Sequence, residues 1–258
     1  MTLPPIFTPE YYAHWRDFEA RHWWTAGMRD VASILFEWVG LPPRGLLLDV
    51  GCGSGQGMAW FSGLRPEWRR VGIDPGMVAL QAAADLGRHH VIRGSGTALP
   101  FPTASVDAVI SLDVLQHLPL DGGDRAALSE MHRVLKPGGH LFVRTNVQAF
   151  PRVPDDAEAV WHKYEPEELH AKLEGAGFAV LRLSRINALL GLAEIPKEIW
   201  RALRPRRHSS YEIVARAHER RLPRAGGLKR AWLRVEGRAV RDGMRLPTGR
   251  SLVALCRA

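Results

Sequence analysis

The twelve residues Leu46-Leu47-Leu48-Asp49-Val50-Gly51-Cys52-Gly53-Ser54-Gly55-Gln56-Gly57 constrain this chain more than any other stretch. Leu46 to Val50 is a short apolar run closed by glycines, the pattern of a strand buried on both faces of a parallel sheet. Gly51, Gly53 and Gly55 follow as a loop whose backbone can take positive φ and come close to a ligand, since no Cβ intervenes. Residues 56–64 read as a helix, so the loop delivers a helix N-terminus with available N–H groups. Asp49 fixes a carboxylate at the strand end. A dinucleotide loop would want a third glycine at Gln56, and a P-loop would want Gly-Lys-Ser/Thr, which this stretch lacks. An acid placed just before the loop suits a ligand with a cationic end better than a pyrophosphate.

Val71-Gly72-Ile73-Asp74-Pro75-Gly76 reads as a second strand ending in an acid. Asp74 follows Gly53 at about the distance where α/β nucleotide folds place a carboxylate on the ribose hydroxyls. Further strands are expected at 89–93, 106–111, 140–145, 178–183 and 251–256. Helices are expected at 125–135 and 165–174, the first stopped by Lys136-Pro137-Gly138-Gly139. Strands alternating with helices define an α/β chain with a largely parallel sheet.

At these residues the sequence resembles the class I S-adenosylmethionine-dependent methyltransferases. The resemblance rests on Asp49-x-Gly51-x-Gly53-x-Gly55 after an apolar strand. It is joined by Leu99-Pro100-Phe101-Pro102-x-x-Ser105-x-Asp107 and by Glu130-x-x-Arg133-Val134-Leu135-Lys136-Pro137-Gly138-Gly139. It implies a Rossmann-like, doubly wound seven-stranded sheet, mostly parallel with an antiparallel last strand. N-terminal helices and a helical insertion before the last strand complete the expected single methyltransferase domain. The boundaries are a cover at 9–39, a core at 44–184 and 250–257, and a basic insertion or lid at 187–248.

The resemblance also implies the cofactor, S-adenosylmethionine, leaving as S-adenosylhomocysteine. Asp49 would orient its amino end, with Gly51, Cys52, Gly53 and Gly55 beneath the methionine part. Asp74 and Pro75 would sit at the ribose. Relatives carry an acid for the adenine amino group where this chain has Ser95, so Ser95 or the backbone near Gly96 and Thr97 takes that place. Leu112 completes the set. Asp107 and the Glu130-to-Gly139 stretch are read as structural.

The expected helix over 9–39 carries Glu19-x-x-His22-Trp23-Trp24, a pattern that resembles a bacterial branch linked with glycan or natural-product modification. Trp23 then lies over the cofactor mouth, or Trp23 and Trp24 only staple the helix to the sheet. Arg29 is placed to reach the methionine carboxylate, as a basic residue does in many relatives.

Sheets of this kind bind ligands at the carboxyl ends of the strands near the reversal of strand order. Asp113 and His117, spaced i and i+4 after the fourth strand, would share a face of a short helix there. His117 has the pKa range of a general base. His22, Trp24, Asp113, Trp161, His162 and Tyr164 are the expected acceptor-side residues, and His22, His162 and Tyr164 are further base candidates. No carboxylates cluster beside Asp113, so no metal is expected.

Charge is uneven. Residues 185–250 hold 17 Lys/Arg against six Asp/Glu, while the remainder holds 18 against 21. That asymmetry calls for an anionic partner or a solvated helical face. A base-modifying enzyme would want an Asn/Asp-Pro-Pro-aromatic motif where Ser111-Leu112-Asp113-Val114 stands, and few aromatic residues interleave with the arginines. Both arguments point away from nucleic acid and toward a small-molecule acceptor, with O-methylation of a natural-product or glycan-type scaffold the expected reaction. An RNA-directed methyltransferase and a non-catalytic cofactor-binding partner protein are the alternatives. The apolar stripe of 189–203 with its flanking arginines is read as a peripheral membrane contact or a substrate lid. Met1 to Phe7 lacks the basic region and apolar core of a secretory signal. Cys52 and Cys256, the only cysteines, are expected to be reduced, in a cytoplasmic protein.

Overall fold

The computed structural model describes residues 22–119, 121–148, 162–193, 196 and 226–258. Seven strands are present: β1 (Leu46–Val50), β2 (Arg69–Asp74), β3 (Val91–Arg93), β4 (Val106–Leu112), β5 (Leu135–Asn146), β6 (Ala179–Ile186) and β7 (Ser251–Arg257). The helices are α1 (Trp23–Val39), α2 (Gln56–Leu64), α3 (Met77–Asp85), α4 (Gly123–Val134), α5 (Pro166–Gly175) and α6 (Gly227–Arg241). The strands form one sheet in the order β3-β2-β1-β4-β5-β7-β6. Pairing is parallel from β3 to β5, and β7 runs antiparallel to both β5 and β6. The chain walks outward from β1 to β3, then restarts on the other side of β1 with β4. That reversal opens a crevice at the carboxyl ends of β1 and β4.

Alternation along the strands sorts the core into two layers. Leu47, Ala108, Ile110, Phe142, Val253 and Leu255 face α1, α2 and α6. Their neighbours Leu48, Val109, Leu141, Val143, Leu252, Ala254 and Cys256 face α4 and α5. Each fully buried leucine in this arrangement contributes about 1.5–3 kcal/mol.

Two local expectations are corrected. The run expected over 9–39 does not pass through His22 as a helix. His22 is extended, and its Nδ1 accepts the Trp24 N–H at 3.2 Å, so α1 starts at Trp23 with a side-chain cap. Residues 9–21 lie outside the described residues. The Lys136-Pro137-Gly138-Gly139 stop does not separate helix from strand, because β5 begins at Leu135. Instead the ladder shifts register between Val106 and Ala108. Gly138, at φ 79°, swings the chain out and donates to the Ala258 carbonyl at 2.9 Å, and Ala258 donates back to Gly139.

Within the expected insertion, α6 is part of the layer that covers the sheet. Leu233 and Val240 join Met28, Val31, Leu35 and Phe36 of α1 in one cluster. A Cβ on Gly27 would strike Leu233, so the two helices touch through a glycine. Asp30 locks them together, accepting from Arg230 at 2.7 and 2.9 Å and from Arg234 at 2.7 Å. Residues 194–195 and 197–225 of the expected insertion lie outside the described residues, as does most of the 189–203 stripe.

Candidate active site

The glycine loop leaves β1 and is pinned onto the end of β2. Gly51 and Cys52 both donate their N–H groups to the Ile73 carbonyl, at 2.8 and 3.1 Å. Gly51, Gly53 and Gly55 all take positive φ, at 73°, 54° and 76°, which side chains rarely adopt. Their environments differ. A Cβ at Gly51 would overlap Val114, and one at Gly55 would lie 2.7 Å from Arg88 Cδ, but at Gly53 it would meet nothing within 4 Å. Gly53 therefore borders open space in a loop otherwise closed by packing.

Asp74 organises that space. Its Oδ2 accepts the Gly53 N–H at 2.9 Å and its Oδ1 accepts the Gly76 N–H at 2.8 Å. A carboxylate offers about four lone-pair sites, so two remain. Burial raises the Asp74 pKa, against the lowering effect of the two backbone donors. A cis-diol, supplying two donors, is the complement of the pair that remains, and the open face at Gly53 gives it room. The residues present thus fit the ribose of an adenosyl cofactor. Pro75 follows directly, its carbonyl accepting from Arg93 Nε at 3.4 Å.

Asp49 is buried, and a Cβ on Gly57 would lie 2.5 Å from its Oδ2. The carboxylate is thus wedged against the first turn of α2, where the positive end of the helix favours an anion. Cys52 behaves differently from its neighbours in the loop. Its side chain turns inward onto Met58 and Leu80, and a Cβ on Gly72 would strike its sulfur. Burial, with Asp49 and Asp74 nearby, pushes its thiol pKa well up. The Cys52 side chain therefore packs the loop against α2 and α3.

Ser95 and Thr97 share a hydrogen bond of 2.8 Å, and Thr97 N–H donates to Ser95 Oγ at 3.2 Å. Gly94 donates to the Asp74 carbonyl, and a Cβ on Gly96 would lie 2.9 Å from Val50 Cγ1. This turn therefore stands beside the ends of β1 and β2. The Glu130–Arg133 stretch secures it from below. Glu130 accepts the Leu99 N–H at 2.7 Å, and Arg133 donates to the carbonyls of Leu99 and Phe101. Asp107 pins the start of β1 through Leu46 N–H at 2.8 Å and pairs with Lys136 at 2.7 Å.

On the β4 side, half-buried Leu112 leads into Asp113, which adopts φ 61°. The expected short helix carrying Asp113 and His117 on one face does not form. Only a single 3-10 turn, Leu115–His117, follows. Asp113 pairs instead with Arg144 of β5, through Nε at 3.1 Å and Nη2 at 2.6 Å. Arg144 is 5% exposed, and Trp24 of α1 stacks on its guanidinium at 4.8 Å. Arg144 was not legible in the sequence, since its partners stand far away along the chain. Arg88 was missed likewise; it donates to the Ser54 carbonyl beside the glycine loop.

His117 is largely buried, with Gln116 Nε2 at 3.5 Å from its Nε2. Burial lowers its pKa from 6.5 to about 4, against the opposing pull of Asp113. Gln116 accepts the Asn146 N–H at 2.9 Å, and its carbonyl accepts the His162 N–H at 3.0 Å. His162 Nε2 lies 2.8 Å from Glu168 Oε1. Tyr164 is 1% exposed and donates to Asp124 Oδ2 at 2.9 Å and to the Leu115 carbonyl at 3.2 Å. Burial and the Asp124 charge push its pKa well up. Tyr164 is thus an enclosed strut, which removes it from the acceptor-side and base candidates. Trp161 lies outside the described residues.

The structure brings Asp49, Gly51, Gly53, Gly55, Asp74, the 95–97 turn and the Asp113 turn to one end of the sheet. Trp23 packs against His22, Gly226 and Lys229, whose Nζ lies 5.3 Å from its ring. Burial, then Lys229, lowers the His22 pKa. Arg29 is half-buried on α1. Among the described residues, no three His, Cys, Asp or Glu side chains gather as a metal site requires.

A Rossmann-like sheet with a glycine loop and paired strand-end acids is the architecture in which α/β folds bind nucleotide-type ligands. The family described as "Methyltransferase domain" matches residues 48–143. Over this stretch the chain is similar to S-adenosylmethionine-dependent methyltransferases. It is 34% identical over 153 residues to a "Probable S-adenosylmethionine-dependent methyltransferase" of Mycolicibacterium smegmatis, covering 58% of each chain. It is 33% identical over 103 residues to the tRNA (carboxymethyluridine(34)-5-O)-methyltransferase of Arabidopsis thaliana, covering 40% of this chain and 24% of that one. Thus the chain spans 24% and 58% of the length of these two curated relatives. Among solved structures, phosphoethanolamine N-methyltransferase 2 of Haemonchus contortus, in complex with S-adenosyl-L-methionine, superposes with a TM-score of 0.62 at 14% identity, over 98% of this chain and 58% of that one.

Proposed function

We propose that this protein is an enzyme that transfers a methyl group from S-adenosylmethionine to an oxygen of a small-molecule acceptor, a natural-product or glycan-type scaffold. The observation that carries the cofactor half is the Asp74 carboxylate, half committed to Gly53 and Gly76 and open on the Gly53 side. The bound sulfonium supplies an activated methyl group and an excellent leaving group. The chain's own task is then alignment, which is worth roughly 7–11 kcal/mol when geometry is held. Asp74 holds the ribose, Asp49 and the glycine loop seat the amino-acid end, and the turn at Ser95, Gly96 and Thr97 borders the adenine. Arg29 is the proposed partner of the methionine carboxylate, and Trp23 the outer cover.

For the acceptor half, Asp113, Arg144 and Trp24 form a wall beside the glycine loop. Asp113 and Arg144 neutralise each other, which favours a neutral polar acceptor over a strongly charged one. The Trp24 ring adds a flat apolar surface of the kind that stacks on sugar or aromatic rings. His22 and His162 flank this wall in the proposal. A hydroxyl acceptor loses its proton as the new C–O bond forms and the methyl–sulfur bond breaks. His117, neutral through the physiological range, is the proposed acceptor of that proton. The two buried thiols support a reducing, cytoplasmic setting.

A second reading is an RNA acceptor, favoured by the 17 Lys/Arg of residues 185–250. Titration calorimetry with S-adenosylhomocysteine tests the cofactor half. Radiolabelled methyl transfer to a panel of phenols, methyl glycosides and RNA tests the acceptor half. Methylated RNA with unmodified small molecules would replace the first reading by the second. Cofactor binding with no transfer to any of them would favour the non-catalytic partner role.

A further inference from the structure

α6 is apolar on two opposite faces. Leu233, Gly237 and Val240 turn inward to α1, which accounts for one of them. Leu228, Ala231, Trp232, Val235 and Ala239 recur at i, i+3, i+4, i+7 and i+11, one continuous helical stripe that points the other way. Leu228 is 90% exposed, Val235 51% and Trp232 45%. A covering helix of a water-facing domain would put polar side chains there. The stripe is bordered by Lys229 on one side and, on the other, by Arg238 and by Arg234, the latter also paired with Asp30. The single acid of α6, Glu236, is buried and occupied: it accepts the N–H groups of Asn187 and Ala188 and the Trp232 indole N–H at 2.6 Å. Those two N–H groups open the helical turn at 188–193, whose Leu189 and Leu192 are also exposed.

We propose that this face of α6, with Leu189 and Leu192 beside it, rests on an anionic lipid surface. The charge pattern chooses between occupants. A second copy would bring the same cations to the same stripe, and residues 197–225 of this chain carry nine Lys/Arg against three Asp/Glu. Both oppose like charge to like. Anionic headgroups complement the arginine and lysine border, while leucine, valine and tryptophan side chains enter the acyl boundary, as in helices that lie in the membrane plane. Nucleic acid complements the cations but leaves the aliphatic side chains without partners. No helix among the described residues is long and apolar enough to cross a membrane, so the contact lies on the surface.

The test is flotation of the whole protein with vesicles of phosphatidylcholine alone and of phosphatidylcholine containing phosphatidylglycerol. The protein is expected to float with the anionic vesicles only, and less at high salt. The double variant L228S/V235S changes two exposed side chains outside the proposed catalytic and cofactor-binding groups. Its thermal unfolding and S-adenosylhomocysteine binding should match the parent, and its vesicle affinity should fall about tenfold or more. Three results overturn the inference: no flotation with anionic vesicles, flotation untouched by the double variant, or retention of an RNA oligomer in place of vesicles. Because S-adenosylhomocysteine binding is read on the same samples, failure here is distinct from failure of the methyltransferase reading.

Discussion

Val114 occupies the space that a Cβ on Gly51 would fill. The turn after β4 and the loop after β1 therefore share one packed contact, which joins the proposed acceptor wall to the proposed cofactor loop. Two glycines of that loop should consequently fail in different ways. Gly51→Ala combines strain at φ 73° with a collision at Val114 and should lower the unfolding temperature of the whole domain. Gly53→Ala should fold at a cost of about 1–2 kcal/mol for the left-handed backbone. Its methyl group would stand in the open space proposed for the cofactor, so S-adenosylhomocysteine affinity should fall at least about tenfold, roughly 1.4 kcal/mol. Calorimetry beside thermal melts separates the two; equal affinity for parent and Gly53→Ala would remove the glycine loop from the binding site.

Asp74 gives the proposed cofactor site a pH signature. Burial raises its pKa, and the ribose is proposed to bind the ionised form. Affinity should therefore be full above that raised pKa and decline as pH falls through it, at a higher pH than for an exposed aspartate. Asp74→Asn should abolish this dependence and most of the affinity together. A parent protein whose affinity is flat across the acidic range argues against the assignment.

The Asp113–Arg144 pair makes an opposite demand on its test. Arg144→Gln leaves a half-buried carboxylate without its bidentate partner and should destabilise the fold by about 1–3 kcal/mol. It also frees the Trp24 ring from its cation. Cofactor affinity should hardly move, whereas transfer to the acceptor should drop. The double variant Arg144→Met, Asp113→Asn should regain stability without regaining transfer, because the wall would pack but no longer position.

For His117 the sign runs toward acid instability. Its folded pKa of about 4 lies below the ordinary 6.5, so between those values the unfolded chain binds a proton that the folded chain refuses. Stability from this group is present above pH 6.5 and is lost as pH falls toward 4, by roughly 3 kcal/mol in all. His117→Gln should reduce the slope of melting temperature against pH across that window. The same slope in parent and variant would mean that another group is responsible.

Much of the fold could be read from the chain because its signals are local. Leu46–Gly57 and Val71–Gly76 each combine an apolar run, glycines and an acid within a dozen residues, and both acids stand where the strand ends put them. What escaped depends on contacts between distant residues. Arg144 looked like any polar residue on a strand until Asp113, 31 residues earlier, took it. Asp113 and His117 suggested a helical face, but the left-handed turn at Asp113 removed the helix that would have carried it. α6 lay within the basic span 187–248, where arginines interrupt its apolar period. Tyr164 looked reactive from its type alone; only its partners Asp124 and Leu115 reveal a strut.

Glu236 receives the N–H groups of Asn187 and Ala188 from a helix that follows them by almost fifty positions. One carboxylate thus joins the chain just after β6 to α6, so the helix that packs on α1 is also fastened to the far edge of the sheet.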